Sequence, residues 1–244
     1  MEGIRGGDNM NIFLTSNIGG IRKENGEKKA EKFSNENNFL EILKESLKDN
    51  KKFVLVSSNP EAIEQNSKYL ELDTIALNMS DIFFDKYVVL DNRNKENVKE
   101  VLEDSSLIML CGGNTYRQNQ FFNEIDLKKY ILALDTTIVG ISAGSINAAS
   151  VAYNSPECEE DTLNPELLSG LGLTNINIEP HFDVNNNNKI QMDSILSQSH
   201  KRVIYGLPDG SYIKDNTLYG KGYKIHNGEI KLICNNDEKY EICD

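Results

Sequence analysis

The chain has 244 residues, which is enough to bury a full hydrophobic core in one domain. Its formal net charge of −12 argues against nucleic acid or an anionic membrane as a partner, because an acidic surface repels both. No apolar run reaches the roughly 20 residues of a membrane helix, and the cysteines have no metal-ligand spacing, so we expect a metal-free cytoplasmic protein with reduced cysteines.

The predicted elements begin after residue 9. Residues 1–9 differ in composition from the rest of the chain, and we expect a leader or a cloning remnant there and a single domain over residues 10–244. An apolar strand at residues 12–14 precedes the polar segment 17–33, which we expect to be a loop that passes into a helix. Apolar residues then recur at helical spacing over residues 35–49.

From residue 50 to residue 140, short apolar strands alternate with helical segments. This alternation predicts an α/β fold with three layers, in which a mostly parallel sheet has helices on both faces. After residue 200 the pattern changes to closely spaced strands, and we expect a C-terminal antiparallel edge or β-ribbon in the same domain. The predicted strands are residues 53–56, 87–90, 107–110, 138–140, 203–207, 211–214, 217–220, 223–225 and 230–233.

A nucleophile elbow is predicted at residues 140–145, which read Gly-Ile-Ser-Ala-Gly-Ser and directly follow an apolar strand. The two glycines allow a sharp turn from strand to helix, which lifts Ser142 out of the sheet. A serine hydroxyl reacts only when a base takes its proton and donors hold the oxyanion that forms. The backbone amide of Ala143 is one candidate donor. This segment predicts a serine hydrolase with Ser142 as its nucleophile.

The candidate base is His181, which follows an apolar strand that Pro180 ends. In open parallel sheets, sites assemble at the carboxyl ends of the strands. His200 and His226 have simpler explanations, as a residue at a helix end and a hairpin residue. Asp209 also follows an apolar strand and is our candidate to orient the imidazole. The acidic residues Glu157, Glu159, Glu160 and Asp161 compete with it for that role.

A second glycine-rich loop is predicted to complete the site. Residues 111–115 read Cys-Gly-Gly-Asn-Thr, follow a strand and open a helix, so their backbone amides can approach a ligand closely. We expect Asn114, Thr115 and Arg117 to bind substrate, and Arg117 could pair with a substrate carboxylate. Cys111 is better explained as a small buried apolar residue than as a nucleophile, because it lacks an elbow.

Four motifs together resemble the dipeptidase E and cyanophycinase group of serine peptidases. They are Cys-Gly-Gly-Asn-Thr-Tyr at 111–116, Gly-Ile-Ser-Ala-Gly-Ser at 140–145, Glu-Pro-His-Phe at 179–182 and Gly-Leu-Pro-Asp-Gly at 206–210. The resemblance implies a fold like that of class I glutamine amidotransferases, with serine in place of their cysteine nucleophile. It also implies Ser142 as nucleophile, His181 as base and the amides of Gly113 and Ala143 as the oxyanion hole.

The resemblance leaves two features of the site open. The acid would be Asp209, where relatives often carry Glu, although some accounts of the family favour an acidic residue near Glu157. Members that cleave aspartyl dipeptides use an Arg after the His-Phe motif to hold the Asp side chain. Here Lys189 is the nearest cation, and a lysine lacks the two-pronged grip of arginine. Specificity for N-terminal Asp is therefore open.

We expect a serine peptidase that hydrolyses short peptides through an acyl-enzyme without metal or cofactor, as a monomer or homodimer. Three other functions are compatible with the same motifs. An α/β-hydrolase esterase would share the elbow but would place its acid between Ser and His in the chain. A cyanophycinase-like enzyme would cut a branched Asp/Arg polymer. A non-catalytic binding or regulatory protein could use the same scaffold.

Overall fold

The computed structural model of the chain describes residues 10–243, so the expected leader at 1–9 lies outside the described residues. The strands are β1 (Asn11–Thr15), β2 (Gly19–Glu24), β3 (Glu27–Phe33), β4 (Lys52–Val56), β5 (Lys86–Leu90), β6 (Leu107–Leu110), β7 (Thr137–Ile141), β8 (Val151–Tyr153), β9 (Leu167–Ser169), β10 (Asn177–Pro180), β11 (Ile204–Leu207), β12 (Tyr212–Lys214), β13 (Thr217–Tyr219), β14 (Gly222–His226), β15 (Glu229–Cys234) and β16 (Lys239–Glu241). The α-helices are α1 (Phe39–Ser46), α2 (Ile63–Met79), α3 (Val98–Leu102), α4 (Thr115–Glu124), α5 (Leu127–Ile131), α6 (Ala143–Ala148) and α7 (Lys189–Ser199). Short 3₁₀ turns lie at Glu36–Asn38, Lys95–Asn97 and Glu160–Leu163.

An eight-stranded sheet forms the centre of the fold, in the order β16-β13-β12-β1-β7-β6-β4-β5. Its strands β1, β7, β6, β4 and β5 are parallel to one another. Every residue of β4 and β6 is buried, as continuous apolar strands in a parallel sheet require. The predicted parallel α/β sheet is therefore confirmed.

Helices cover both faces of this sheet, and alternate residues of each strand point to opposite faces. On β4, Phe53 and Leu55 belong to the core beneath α1 and α2. Val54 and Val56 belong to the opposite core beneath α3, α4 and α5. The three-layer arrangement expected from the sequence follows from this alternation.

The C-terminal strands divide between two sheets. Strands β12, β13 and β16 extend the central sheet in antiparallel fashion beyond β1. A separate four-stranded sheet has the order β10-β11-β14-β15, with β10 parallel to β11 and the other pairs antiparallel. A shared core that includes Leu14, Ile178 and Leu207 joins the two sheets. The antiparallel C-terminal strands were predicted, but their division between sheets was not.

Residues 17–33 form a β-hairpin, so the prediction of a loop and helix there is wrong. Strands β2 and β3 pair in antiparallel fashion around Asn25 and Gly26, which have φ values of 51° and 83°. An Asn-Gly pair with two positive φ values makes the tight turn that hairpins favour. The hairpin packs on α2 and overhangs the carboxyl ends of the central strands.

The structure also bears on membrane association. Within residues 10–243, no helix combines the length and the apolar character needed to cross a bilayer.

Candidate active site

Ser142 lies in a strained turn between β7 and α6. Its φ of 48° and ψ of −108° are unusual for a residue with a side chain, as at a nucleophile elbow. The neighbouring glycines make the turn possible. A Cβ on Gly144 would lie 2.2 Å from the carbonyl oxygen of Leu110, and one on Gly140 would lie 2.7 Å from the Cα of Ser145. The predicted elbow is therefore present in the fold.

Hydrogen bonds join the elbow to β1. The Ser142 amide donates to the carbonyl oxygen of Thr15 over 2.8 Å. The fully buried hydroxyl of Ser145 accepts from the Thr15 amide over 2.8 Å and lies 2.7 Å from the carbonyl oxygen of Gly140. Ser145 thus links β1 to β7, the strand that leads into the nucleophile turn.

A continuous chain of contacts joins the three residues proposed for catalysis. The Oγ atom of Ser142 lies 3.1 Å from Nε2 of His181. On the other side of the ring, Nδ1 of His181 lies 2.6 Å from Oδ1 of Asp209. The side chains of His181 and Asp209 are 51% and 56% exposed, so solvent screens their interaction. This geometry is the one that general-base activation of a serine needs.

The backbone around His181 is held by a residue that the sequence did not single out. The His181 amide donates to Oγ of Ser16 over 3.1 Å, and that hydroxyl donates to the carbonyl oxygen of Leu207 over 2.7 Å. Ser16 follows β1, Leu207 ends β11, and His181 follows β10 with a φ of 55°. One hydroxyl therefore joins the carboxyl ends of strands from both sheets. The polar pair Thr15-Ser16 after an apolar strand was the signal in the sequence.

The other histidines lie elsewhere in the second sheet. His226 ends β14 beside the amino end of β11, because Ile225 pairs with Ile204. The ring of His200 lies against Gly228 in the same region. Asp209, by contrast, follows the carboxyl end of β11.

The competing acids after the elbow do not contact the candidate base. Glu157, Glu159 and Glu160 are exposed, and Asp161 accepts a hydrogen bond from the Glu157 amide. In the described part of the chain, none of them is a hydrogen-bond partner of His181.

The glycine loop after β6 lies beside Ser142. A Cβ on Gly112 would lie 3.7 Å from Cβ of Ser142, so the two residues are neighbours. Gly113 has a φ of 143°, and a Cβ there would lie 2.4 Å from Oγ of Ser58, so only glycine fits. Among the described residues, the amides of Gly113 and Ala143 have no acceptor, which leaves both available to an oxyanion.

The four residues expected to bind substrate have different surroundings. The Asn114 side chain accepts a hydrogen bond from the Arg117 amide and caps α4, while Thr115 is buried. Arg117 is exposed and lines a cavity beside the glycine loop. Lys189 is the exposed first residue of α7 and is not among the residues that line this cavity.

That cavity has a volume of about 480 Å³ and is lined in part by the glycine loop. Its walls come from the β2–β3 hairpin, α2 and the carboxyl ends of β4, β5 and β6. Cys111 contributes to the wall, and burial raises the pKa of its thiol, with a smaller contribution from Asp73. A thiol held in its neutral form is a poor nucleophile. Among residues 10–243, no group of three or more His, Cys, Asp or Glu side chains is arranged to hold a metal ion.

Comparison with known families matches residues 25–217 to peptidase family S51. This stretch covers most of the chain and contains all three residues of the contact chain. The protein belongs to peptidase family S51. It is therefore a serine-type peptidase, as the sequence motifs predicted. No curated protein matches the sequence.

Solved structures support the fold assignment of this S51 peptidase. A peptidase from an acI-B1 Actinobacterium superposes with a TM-score of 0.68 at 13% identity, covering 98% of this chain and 99% of that one. A putative peptidase E protein from Listeria monocytogenes EGD-e gives a TM-score of 0.54 at 16% identity, covering 92% of this chain and 98% of that one. At such low identity these similarities confirm the fold class, a mostly parallel sheet with helices on both faces.

Proposed function

We propose that this S51 peptidase hydrolyses short peptides through an acyl-enzyme formed on Ser142. The observation that carries the proposal is the contact chain from Ser142 Oγ through the His181 ring to Asp209, at 3.1 and 2.6 Å. It lies beside a cavity and beside two backbone amides that have no acceptor among the described residues. One edge of the fold thus offers a candidate for each role of nucleophile, base, orienting acid and oxyanion donor.

The proposed reaction has two halves. Nε2 of His181 takes the proton from Ser142 Oγ as that oxygen attacks the scissile carbonyl, and the amides of Gly113 and Ala143 hold the resulting oxyanion. The tetrahedral intermediate collapses, and His181 gives the proton to the leaving amine. Water then attacks the ester with His181 again as base, which releases the acid product and restores Ser142. Asp209 keeps the proton on Nδ1 and stabilises the imidazolium.

The cavity supports small substrates. Its volume of about 480 Å³ is in the range of sites for small ligands, about 300–1,000 Å³. Of the two expected substrate residues that are cations, Arg117 lines the cavity and Lys189 does not. We propose a cytoplasmic enzyme that works as a monomer or homodimer, and its four free cysteines suit a reducing compartment.

Replacing the nucleophile tests the function. We expect Ser142→Ala to lower kcat for peptide hydrolysis by at least about 10⁴-fold, because it removes the oxygen that carries the acyl group in the proposed reaction. It should also abolish labelling by a fluorophosphonate. Ser197→Ala on the exposed face of α7 is the matched control and should change neither.

The substrate panel should contain dipeptides with Asp and other N-terminal residues, the branched Asp/Arg polymer and p-nitrophenyl esters. Peptide hydrolysis that survives in Ser142→Ala would refute the assignment. Cleavage of the esters alone would favour an esterase. A wild-type protein that neither reacts with the fluorophosphonate nor cleaves any substrate of the panel would favour a binding protein.

A further inference from the structure

A buried carboxyl group without a partner lies in the wall of the cavity. Asp73 on α2 is only 7% exposed. Within residues 10–243, its carboxyl group has no hydrogen-bond or ion-pair partner, although it faces the cavity. Burial raises its pKa to about 7. Buried acids are normally paired, so an unpaired one in a cavity indicates a group that receives its partner from outside.

Two of the four cations that line the cavity are engaged with other groups. Arg22 lies 3.3 Å from Glu24 and 3.7 Å from Glu31 within the hairpin. The Lys28 amine is hydrogen-bonded to the Tyr69 hydroxyl and lies over that ring. Lys23 and Arg117 line the cavity as well, and among the described residues none of these four cations is a hydrogen-bond or ion-pair partner of Asp73.

Part of the cavity wall is apolar. Phe33, Leu55, Val89 and Met109 all line the cavity and belong to the core on that face of the sheet. A cavity that offers apolar side chains and a buried carboxyl group matches the chemistry of a long methylene chain with a terminal cation.

The cavity is continuous with the proposed reaction centre. Gly112 and Gly113 line it, and Gly112 is the immediate neighbour of Ser142. Asp73 and Cys111, the first residue of this loop, both line the cavity, and Asp73 adds to the rise in the pKa of the Cys111 thiol. A side chain that enters the cavity would therefore extend from a carbonyl group held beside Ser142.

We propose that this cavity is the subsite for the residue on the acyl side of the scissile bond, and that Asp73 selects a long side chain ending in an amino or guanidinium group. The inference rests on the proposed function, because it assigns the cavity to the substrate of Ser142. The preferred N-terminal residue of a dipeptide substrate is then Lys or Arg. An acidic first residue would place a second carboxylate against Asp73 and would be disfavoured.

Binding tests this inference without relying on catalysis. Calorimetry would measure Lys-Ala, norleucine-Ala, Gln-Ala and Asp-Ala on the Ser142→Ala protein, alone and combined with Asp73→Asn. We expect Lys-Ala to bind more tightly than norleucine-Ala, and Asp73→Asn to weaken Lys-Ala by at least about 30-fold, as loss of a buried charge partner does. Norleucine-Ala should change by less than about threefold, within the range of a neutral contact.

Glu71→Gln is the matched control, because Glu71 is exposed on the same helix. Thermal unfolding checks that each variant is folded. If Asp73→Asn does not fold, Asp73→Ser replaces it in the binding experiment. Equal binding of Lys-Ala and norleucine-Ala, unchanged Lys-Ala binding in Asp73→Asn, or no dipeptide binding at all would overturn the inference.

Activity separates this inference from the proposed function. Wild-type hydrolysis of peptides without preference for Lys or Arg would overturn the inference and leave the function standing. Selective, Asp73-dependent binding without hydrolysis of any peptide would overturn the proposed function and leave the cation site standing.

Discussion

Replacing Asp209 by Asn tests which acid supports the candidate base. The Oδ1 atom of Asp209 lies 2.6 Å from Nδ1 of His181, whereas Glu157 is not among the hydrogen-bond partners of that ring. Asn keeps the size of Asp and can still accept a hydrogen bond from Nδ1. What Asp209→Asn removes is the negative charge that stabilises the imidazolium in the transition state.

The expected loss follows from the exposure of this pair. Two unit charges about 4 Å apart interact by about 1 kcal/mol in bulk water and about 4 kcal/mol at the effective dielectric constant of a protein surface. His181 and Asp209 are 51% and 56% exposed, so their interaction falls between these limits. Since each 1.36 kcal/mol is tenfold in rate, we expect kcat/KM to fall by about 10²-fold. This is less than the roughly 10⁴-fold loss where a triad aspartate is buried.

The assay is kcat/KM on the best dipeptide for Asp209→Asn, Asp209→Glu and Glu157→Gln. Asp209→Glu should retain more activity than Asp209→Asn, because it restores the charge, and Glu157→Gln should match the wild type. Thermal unfolding should change little in all three, since both residues are exposed. A loss in Glu157→Gln that equals or exceeds the loss in Asp209→Asn would refute this reasoning and move the acid to the segment after the elbow.

Two further predictions concern stability. Ser145→Ala removes the acceptor of the buried Thr15 amide, so we expect urea denaturation to show a loss of about 1–3 kcal/mol, and unchanged stability would contradict the role of this link. Glu179 is buried and accepts from Ser155 and Gln191, and burial raises its pKa from 4.5 to about 7. Because the folded state favours its protonated form, this group's contribution to stability is fully present below pH 4.5 and is lost as the pH rises through 7, by about 3 kcal/mol. Glu179→Gln should therefore flatten the decline in unfolding free energy between pH 5 and pH 8 relative to wild type, and identical pH dependence would contradict it.

Much of the fold could be predicted from local patterns. The continuous apolar strands around Val54 and Ile108 require burial on both faces, which gives the parallel sheet and its two helical layers. The elbow could also be predicted from the sequence, because a serine in such a tight turn needs glycines at the positions of Gly140 and Gly144. The hairpin at Asn25-Gly26 was missed, although its turn signal was present, because the charged residues of β3 hid the strand pattern.

The sequence by itself determined which residue types the chain offers, namely an elbow serine, histidines and acids after strands and a loop of glycines. Only the tertiary structure decided which of them meet, since Ser142 and His181 are 39 residues apart and His181 and Asp209 are 28 residues apart. The tertiary structure also decided that Ser16 binds the backbone amide of His181 and that Asp73 is buried. In the sequence, only the helical spacing of Asp73 from Leu77 indicated this burial. Local patterns fix the conformation of a segment. Contacts between distant segments, and the burial that leaves a carboxyl group without a partner, depend on how whole elements pack.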